Sequence, residues 1–278
     1  MSVWIIMLLG IVQGASEFLP ISSSGHLVVL YNVFGVQDNT ILLSVILHIA
    51  TLIAVVICYF KDILELIKHP FCNTNKKLVV ATIPTAIIVL ILKSLVEKTF
   101  SGSFVIVGFL ITAIILLISQ KLGNSNKNDV FKTQSGGFVT KTTHITNLNI
   151  TYKQAFCVGV AQGIAIFPGI SRSGSTIATG LICGVNKTDA ADFSFLLSIP
   201  IIIAGMLFEL IDVATGKAVL NISVAGLLVG FALSFLSGLL CIKLMLKFVK
   251  NKKLTWFSFY LIGLSCFLIL NEFVFKLF

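Results

Sequence analysis

The sequence contains few charged residues. Asp, Glu, Lys and Arg make up only 11% of its 278 residues, and 57% are hydrophobic. Ordinary soluble domains contain about 25% charged residues. A water-soluble core of this size could not hide so much apolar surface, which excludes a soluble enzyme and a disordered chain. The composition instead predicts an all-α, polytopic membrane protein.

Arginine is almost absent. Of the 20 basic residues 19 are lysines, and most of them stand in short loops between apolar runs. This distribution is typical of the cytoplasmic loops of membrane proteins rather than of a nucleic-acid-binding surface. The net charge of +9 therefore predicts no nucleic-acid partner. The six cysteines show no metal-binding or redox spacing, so we interpret them as reduced packing residues.

Long stretches with few or no Asp, Glu, Lys or Arg residues mark the membrane spans. A helix needs about 20 apolar residues to cross a bilayer. We predict six spans, at residues 39–60, 78–92, 99–120, 193–208, 218–242 and 254–271. The second span is short, but Lys77 and Lys93 flank it and can extend their amines towards the two membrane surfaces.

Two further apolar stretches, 1–36 and 152–185, are broken midway by Gly, Pro and Ser. Each flanking arm has about 15 residues, which is too short to cross a bilayer comfortably. We therefore predict that each stretch is a re-entrant helical hairpin, which enters and leaves the membrane on the same side. Irregular backbone at membrane depth is tolerated only where protein or a water-filled cavity surrounds it.

The two broken stretches are related in sequence. Residues 10–25, shifted by 149 positions, fall on residues 159–174, and eight of the sixteen positions are then identical. The identical pairs are Gly10/Gly159, Gln13/Gln162, Gly14/Gly163, Phe18/Phe167, Ile21/Ile170, Ser22/Ser171, Ser24/Ser173 and Gly25/Gly174. We infer two homologous halves, 1–121 and 151–278, each a hairpin followed by three spans, with a polar linker at 122–150.

Three spans are an odd number, so the second half must be inverted relative to the first. The lysines alternate accordingly: segments 61–77, 121–153 and 243–253 carry four, five and five of them, whereas 93–102 and 212–223 carry two and one. Both termini are then outside, and one hairpin enters the membrane from each side. We expect the two hairpin tips to meet near the midplane, where inverted-repeat proteins have their binding sites.

Arg172, the only arginine, stands in the second broken segment. An intramembrane guanidinium is costly unless an anion or dipoles meet it, and its planar fork binds phosphate bidentately. The hydroxyl-bearing residues around it are Ser171, Ser173, Ser175 and Thr176. Together with a helix expected to begin near Ser175, they predict a phosphate-binding cradle. The alternative is a structural ion pair with Glu17.

Glu17 is the only carboxylate in the first 37 residues. Gln13 precedes it by four positions and therefore lies on the same helical face. Two oxygen-bearing side chains close to a phosphate suit a hard divalent cation such as Mg²⁺ or Ca²⁺. The alternative, compatible with the first, is that Glu17 neutralises Arg172.

The first broken segment ends in Ser22, Ser23, Ser24, Gly25 and His26. His26 can act as a general base, a general acid or a phosphoryl acceptor, and Ser23, three residues earlier, is a nucleophile that it could activate. The alternative is a capping or packing histidine.

Three other ionisable residues of the apolar stretches receive structural interpretations. We expect His48, in the middle of a predicted span, to be a buried and hydrogen-bonded residue. Glu209 and Asp212 stand at the end of another predicted span, so we expect them at the membrane interface.

The two tip motifs resemble those of the undecaprenyl-diphosphate phosphatases, the bacitracin-resistance membrane proteins. They read Gly10-Ile-Val-Gln-Gly-Ala-Ser-Glu-Phe-Leu-Pro-Ile-Ser-Ser-Ser-Gly-His26 and Pro168-Gly-Ile-Ser-Arg-Ser-Gly-Ser-Thr176. The resemblance covers essentially the whole chain. Many family members have Glu where this chain has Gln13, which weakens a two-carboxylate metal site and places more weight on Glu17.

The resemblance implies an activity and a set of site residues. Proteins of this family remove the terminal phosphate of undecaprenyl diphosphate, depend on a divalent cation and recycle the lipid carrier of cell-wall polymers. Carried over by position, the catalytic residues are Glu17, His26 and Arg172, with Ser23 as the suspected nucleophile. The residues expected to bind substrate are Gln13, Ser22, Ser24, Ser171, Arg172, Ser173 and Thr176.

A carrier or flippase for a phosphate-bearing lipid or anion is the alternative function, because inverted repeats with broken hairpins also occur in transporters. Ser23 and His26 favour the enzyme, since catalysis needs a nucleophile and a proton shuttle besides the cradle. We expect a bacterial plasma-membrane protein in contact with membrane lipids, with its site towards the extracytoplasmic side. The oligomeric state, including a homodimer, is left open.

Overall fold

The computed structural model describes residues 1–36, 41–97, 99, 102–123, 145–215, 223–251 and 254–275. The all-α prediction is confirmed, because every regular element in these ranges is a helix. In chain order they are α1 (Val3–Phe18), α2 (Ser23–Val33), α3 (Ile41–Cys58), α4 (Phe60–Lys68), α5 (Asn73–Glu97), α6 (Gly102–Gly123), α7 (Tyr152–Ile164), α8 (Arg172–Ile182), α9 (Lys187–Ala214), α10 (Val224–Asn251) and α11 (Thr255–Leu270). A π-helical turn, Asn271–Phe275, follows α11.

Six helices are long and apolar enough to cross a bilayer, as predicted: α3, α5, α6, α9, α10 and α11. The chain is therefore a multi-pass membrane protein. Helix α9 is longer than the predicted span 193–208, because it begins at Lys187, where the Asn186 side chain accepts the N–H of Asp189 at 2.9 Å. The carboxylates that limited the sequence window lie in its first turns, where Asp192 accepts a 2.8 Å hydrogen bond from Tyr59.

The lysine-rich segment 61–77 contains a short helix. Helix α4 covers Phe60–Lys68, and α5 already begins at Asn73. Leu66 is the buried residue of α4, whereas Phe60 and Ile67 are exposed. Exposed apolar side chains beside lysines are typical of a helix that lies in the membrane interface.

The two broken stretches form helix pairs in which the arms contact each other, α1 with α2 and α7 with α8. Helix α1 has 16 residues and α7 has 13, both below the length that crosses a bilayer. The re-entrant course and the inversion of the second half stay predictions.

Each hairpin packs closely on a helix that belongs to the other predicted half, α1 on α10 and α7 on α5. A Cβ atom added to Gly14 would lie 2.1 Å from Ser234 O, and one added to Gly159 would lie 2.1 Å from Ala81 O. Small residues spaced four apart allow such backbone contact in membrane helices. Glycines of both stretches therefore allow a hairpin arm to pack closely on a helix of the other half.

The last residues of the predicted linker 122–150 belong to the core. Ile145, Leu148 and Ile150 are buried. The Leu148 N–H donates to Thr74 Oγ1 at 3.1 Å, and Lys77 Nζ donates to Leu148 O at 2.9 Å. Residues 124–144, including His144, lie outside the described ranges.

Cysteine labelling tests the predicted alternation of helix directions. The six native cysteines are free and are first replaced by serine. We expect a membrane-impermeant maleimide added from outside to label cysteines introduced at positions 97 and 216, because α5 and α9 should end outside. Cysteines introduced at positions 73, 128 and 251 should stay unlabelled until the membrane is opened. Labelling of intact cells at position 251 would contradict the inverted arrangement.

Candidate active site

The turns that join the hairpin arms lie against each other. We call residues 19–22 the first tip and residues 165–171 the second tip. Just after the second tip, Ser173 Oγ donates a 3.0 Å hydrogen bond to Leu19 O. A Cβ atom on Gly174 would lie 3.2 Å from the Pro20 Cβ. The structure thus brings together two segments that are about 150 residues apart in sequence.

Each tip caps the helix that follows it. Ser22 Oγ accepts the N–H of Gly25 at 3.3 Å, and Ser171 Oγ accepts the N–H of Gly174 at 3.1 Å. Helix α8 therefore begins at Arg172 and not near Ser175, as the sequence had suggested. Two helix N-termini converge on the tips, and the partial positive charge of each favours an anion there.

The early start of α8 places Ser175 inside the helix. Its hydroxyl is buried and has no hydrogen-bond partner among the described residues. Thr176 Oγ1 contacts Ser194 Oγ at 2.5 Å and so ties α8 to α9. Ser175 and Thr176 therefore do not line the cavity at the tips, whereas Ser171 and Arg172 do.

Helix α6 fixes the second tip, a contact that sequence reasoning missed. Thr112 Oγ1 accepts the N–H of Ser171 at 2.9 Å and lies 3.1 Å from Gly169 O. Gly169 has a φ of +86°, and a Cβ there would lie 2.3 Å from Val105 O. A glycine is therefore required for the tip to lie this close to α6.

The first tip is held in a strained conformation. Ser22 has a φ of 70°, the one positive φ of a non-glycine residue in the part of the chain that the structure describes. Such a backbone costs about 1–3 kcal/mol and persists where surrounding contacts impose it, often at functional sites. It places Ser23 at the first position of α2, at the mouth of the site.

Four predicted site residues form one hydrogen-bonded cluster. An ion pair joins Arg172 Nη2 to Glu17 Oε1. Glu17 Oε2 accepts hydrogen bonds from Ser23 Oγ at 2.6 Å and from Gln13 Nε2 at 3.1 Å. Arg172 Nη1 also donates to Ser198 O at 3.2 Å. Glu17 neutralises Arg172 in this geometry and also holds the hydroxyl of Ser23, whereas its role as a metal ligand stays a prediction.

A cavity of about 190 Å³ opens beside this cluster, with room for several water molecules. Its polar lining residues are Ser16, Glu17, Ser22, Ser23, Ser24, His48, Ser171, Arg172 and Glu209. Hydroxyls, a guanidinium and two helix N-termini around one cavity can bind a phosphate group.

His26 does not line this cavity. Its Nδ1 lies 2.8 Å from Ser22 O, and its Nε2 lies 2.8 Å from the Tyr260 hydroxyl. The imidazole stacks on the Tyr260 ring at a centroid distance of 5.8 Å. The catalytic role of His26 stays a prediction, and the geometry offers no hydrogen bond from its ring to Ser23.

His48 and Glu209 line the cavity, although sequence reasoning gave them structural roles. Glu209 was expected at the membrane interface, but its Oε1 accepts a 2.8 Å hydrogen bond from Ser44 Oγ, one turn before His48. The sequence could have indicated a functional role for both residues, because an ionisable side chain inside an apolar span is a functional candidate by default. The side chain of Asp212 lies outside the described part of the chain.

The side-chain oxygens of Gln13 and Glu17 suit a divalent cation that takes most of its ligands from phosphate and water. No cluster of three His, Cys, Asp or Glu side chains suited to a metal occurs among the described residues. A carboxylate only accepts hydrogen bonds, so Gln13 must turn its Nε2 towards Glu17. This leaves Gln13 Oε1 buried and without a hydrogen-bond partner, available as a ligand.

Comparison with known proteins gives consistent matches along the chain. The family described as "Bacitracin resistance protein BacA" matches residues 6–267. The chain is 40% identical over 256 residues to a protein of Carboxydothermus hydrogenoformans named undecaprenyl-diphosphatase, with 91% of each chain covered. It is also 40% identical over 277 residues to the undecaprenyl-diphosphatase of Methanosphaera stadtmanae, covering 91% of this chain and 92% of that one. A Bacillus cereus protein named undecaprenyl-diphosphatase 4 is 37% identical, with 96% of each chain covered.

The Arg172→Lys variant tests whether the guanidinium is more than a counter-ion of Glu17. Lysine keeps the positive charge but loses the planar fork that binds phosphate through two parallel hydrogen bonds. We expect phosphate release to fall by about 100-fold or more, with a much smaller change in the thermal stability of the detergent-solubilised protein. Near-normal turnover would leave Arg172 with a structural role only.

Proposed function

The chain belongs to the bacitracin resistance protein BacA family, and from this membership we propose that it hydrolyses undecaprenyl diphosphate to undecaprenyl phosphate and inorganic phosphate. The supporting observation is the cluster of Ser23, Glu17 and Arg172 at two converging helix N-termini. A phosphate cradle alone would serve a carrier equally well. A hydroxyl hydrogen-bonded to a carboxylate beside that cradle is what a phosphoryl-transfer enzyme needs.

The diphosphate binds where positive charge is concentrated. Arg172 uses one N–H towards Glu17 and one towards Ser198 O, so its remaining N–H groups can bind phosphate oxygens. The free backbone N–H groups at the starts of α2 and α8 add donors on either side. These fixed donors stabilise the charge that spreads over the phosphate oxygens during transfer.

Ser23 is the proposed nucleophile, and Glu17 receives its proton. The two side chains are joined by the 2.6 Å hydrogen bond from Ser23 Oγ to Glu17 Oε2. Attack forms a bond between Ser23 Oγ and the terminal phosphorus and breaks the bridging P–O bond to the lipid phosphate. Water then releases the phosphate from Ser23, which recovers its proton from Glu17.

A divalent cation is also part of the proposal. Gln13 Oε1 and the Glu17 carboxylate would hold it together with oxygens of the substrate and water. The cation would offset the negative charge of the diphosphate.

A second cavity, of about 420 Å³, adjoins the first and provides a route for the lipid. It shares Ser24, His48 and Glu209 with the first cavity. Its other lining residues are Gln13, Leu27, Val28, Tyr31, Asn32, Ile41 and Ser44. Apolar side chains beside the phosphate site suit the first isoprenoid units.

The second cavity also supports the proposed sidedness. It extends to the last turn of α2 and to Ile41, the first residue of α3. The lysine distribution assigns this end of the helices to the outside. We therefore propose a bacterial plasma-membrane enzyme whose site opens towards the extracytoplasmic side.

Purified protein in detergent, supplied with undecaprenyl diphosphate and Mg²⁺, tests the function directly. Release of inorganic phosphate with formation of undecaprenyl phosphate is the expected result. Movement of the intact diphosphate lipid between bilayer leaflets without phosphate release would indicate the carrier instead.

Replacing the three serines of the first tip one at a time tests the nucleophile. We expect Ser23→Ala to reduce phosphate release by about 1,000-fold, since it removes the attacking oxygen. Ser24→Ala is the comparison variant and should lose less activity than Ser23→Ala, because Ser24 lines the same cavity but does not bond to Glu17. Ser22→Ala removes a helix cap and should cost about 1 kcal/mol of stability, with a smaller loss of activity than Ser23→Ala. An active Ser23→Ala protein would indicate direct attack by water.

The metal site is tested by Gln13→Glu. A second carboxylate should strengthen binding of a hard cation, so the variant should reach half-maximal activity at a lower Mg²⁺ or Ca²⁺ concentration. Chelator should abolish the activity of both proteins, and excess cation should restore it. An unchanged cation requirement would place Gln13 away from the ion.

A further inference from the structure

His26, in the first hairpin, and His48, in helix α3, differ in what their ring nitrogens contact. In His26, Nδ1 lies 2.8 Å from Ser22 O, a carbonyl that only accepts, so Nδ1 carries the proton of the neutral ring. His26 Nε2 then accepts the hydroxyl proton of Tyr260 at 2.8 Å. Both nitrogens of His26 are therefore occupied by the protein itself.

His48 has one free nitrogen. Its Nδ1 lies 2.9 Å from the carbonyl oxygen of Ser44, which again places the proton of the neutral ring on Nδ1. Nε2 is then an unprotonated lone pair, and it makes no hydrogen bond to the described residues. His48 lines the same cavity as Ser23 and Arg172. A neutral imidazole with an unbonded ring nitrogen, on a residue that lines the cavity, can act as a general base.

Glu209 and Ser44 hold the His48 ring in this orientation through contacts at Nδ1, across the ring from Nε2. Ser44 Oγ donates to Glu209 Oε1 at 2.8 Å and lies 3.2 Å from His48 Nδ1, so it links the carboxylate to the imidazole. Glu209 Oε2 lies 3.9 Å from His48 Nδ1 and is buried without a hydrogen-bond partner in the described part of the chain. A buried carboxylate oxygen without a donor is costly, and an imidazolium formed beside it removes that cost.

We propose that His48 is a catalytic residue that takes a proton from the attacking water, with Glu209 and Ser44 as positioning residues. The inference rests on the proposed function. The water oxygen forms a new bond to phosphorus while the bond from phosphorus to Ser23 Oγ breaks. His48 Nε2 takes one proton of the water, and Glu17 returns the proton of Ser23. His48 then releases its proton to solvent as phosphate leaves.

The test compares His48→Ala and His48→Gln with the wild-type protein on undecaprenyl diphosphate. We expect kcat to fall by about 100-fold or more in both variants, while KM changes less than about 3-fold, because substrate binding depends on Arg172 and the helix N-termini. Added imidazole should restore part of the activity of His48→Ala, in which it can occupy the vacated space, but not of His48→Gln. With substrate radiolabelled at the terminal phosphate, both variants should accumulate labelled protein at Ser23.

His69→Ala is the matched control, because His69 also pairs with a glutamate, Glu65 Oε1 at 3.1 Å, but lies outside the cavity. It should keep wild-type kcat and show no imidazole effect. Glu209→Gln should lower kcat less than His48→Ala does, and imidazole should not rescue it, because the residue acts through His48.

Each outcome bears on one of the two proposals. Wild-type protein that releases no phosphate would overturn the proposed function itself. Active wild-type protein together with a His48→Gln variant of normal kcat would overturn the role of His48 alone. A His48→Ala loss without imidazole rescue and without labelled Ser23, in a protein whose thermal stability is unchanged, would also reject the general-base role.

Discussion

The ion pair between Glu17 and Arg172 is the interaction on which the site depends. Each charge would be costly in an apolar stretch by itself, and each lies on a different hairpin, so their pairing requires the two tips to meet. The close contacts of Gly14 with Ser234 and of Gly159 with Ala81 bring the hairpin arms deep enough into the bundle for this. The same pair then holds the hydroxyl of Ser23 and the guanidinium beside one cavity. The ion pair between Glu17 and Arg172 therefore has both a structural and a chemical role.

The two broken stretches share their packing but differ in their chemistry. Ser22 and Ser171 cap equivalent helices. In each tip motif two serine Oγ atoms lie 3.3 Å apart, those of Ser22 and Ser24 in the first and those of Ser171 and Ser173 in the second. The matched glutamines differ, since Gln13 donates to Glu17 whereas Gln162 donates to Thr85. Glu17 has Ile166 at the matching position of the second stretch. The repeated residues thus build a scaffold, and the unmatched ones supply the charge and the nucleophile.

The polar groups of the site work because the helices keep water and lipid away from most of it. The Glu17 and Arg172 side chains are only 6% and 17% exposed. At such low exposure a charge and a hydrogen bond have larger effects than at a protein surface. Phosphate entering from the second cavity therefore meets donors that are already oriented, which is the arrangement that favours a charged transition state.

The amino-acid sequence by itself determined the membrane class, the six spans and the two tips with Glu17, Ser23 and Arg172. These follow from the lengths of the apolar runs and from single polar or charged residues within them, which are properties of local sequence. Only the tertiary structure decided that α8 begins at Arg172, that Thr112 fixes the second tip and that His48, rather than His26, lines the cavity. A histidine in sequence carries no information about which nitrogen is already bonded. For His26 that depends on Tyr260, which lies 234 residues away along the chain and approaches only when the helices pack.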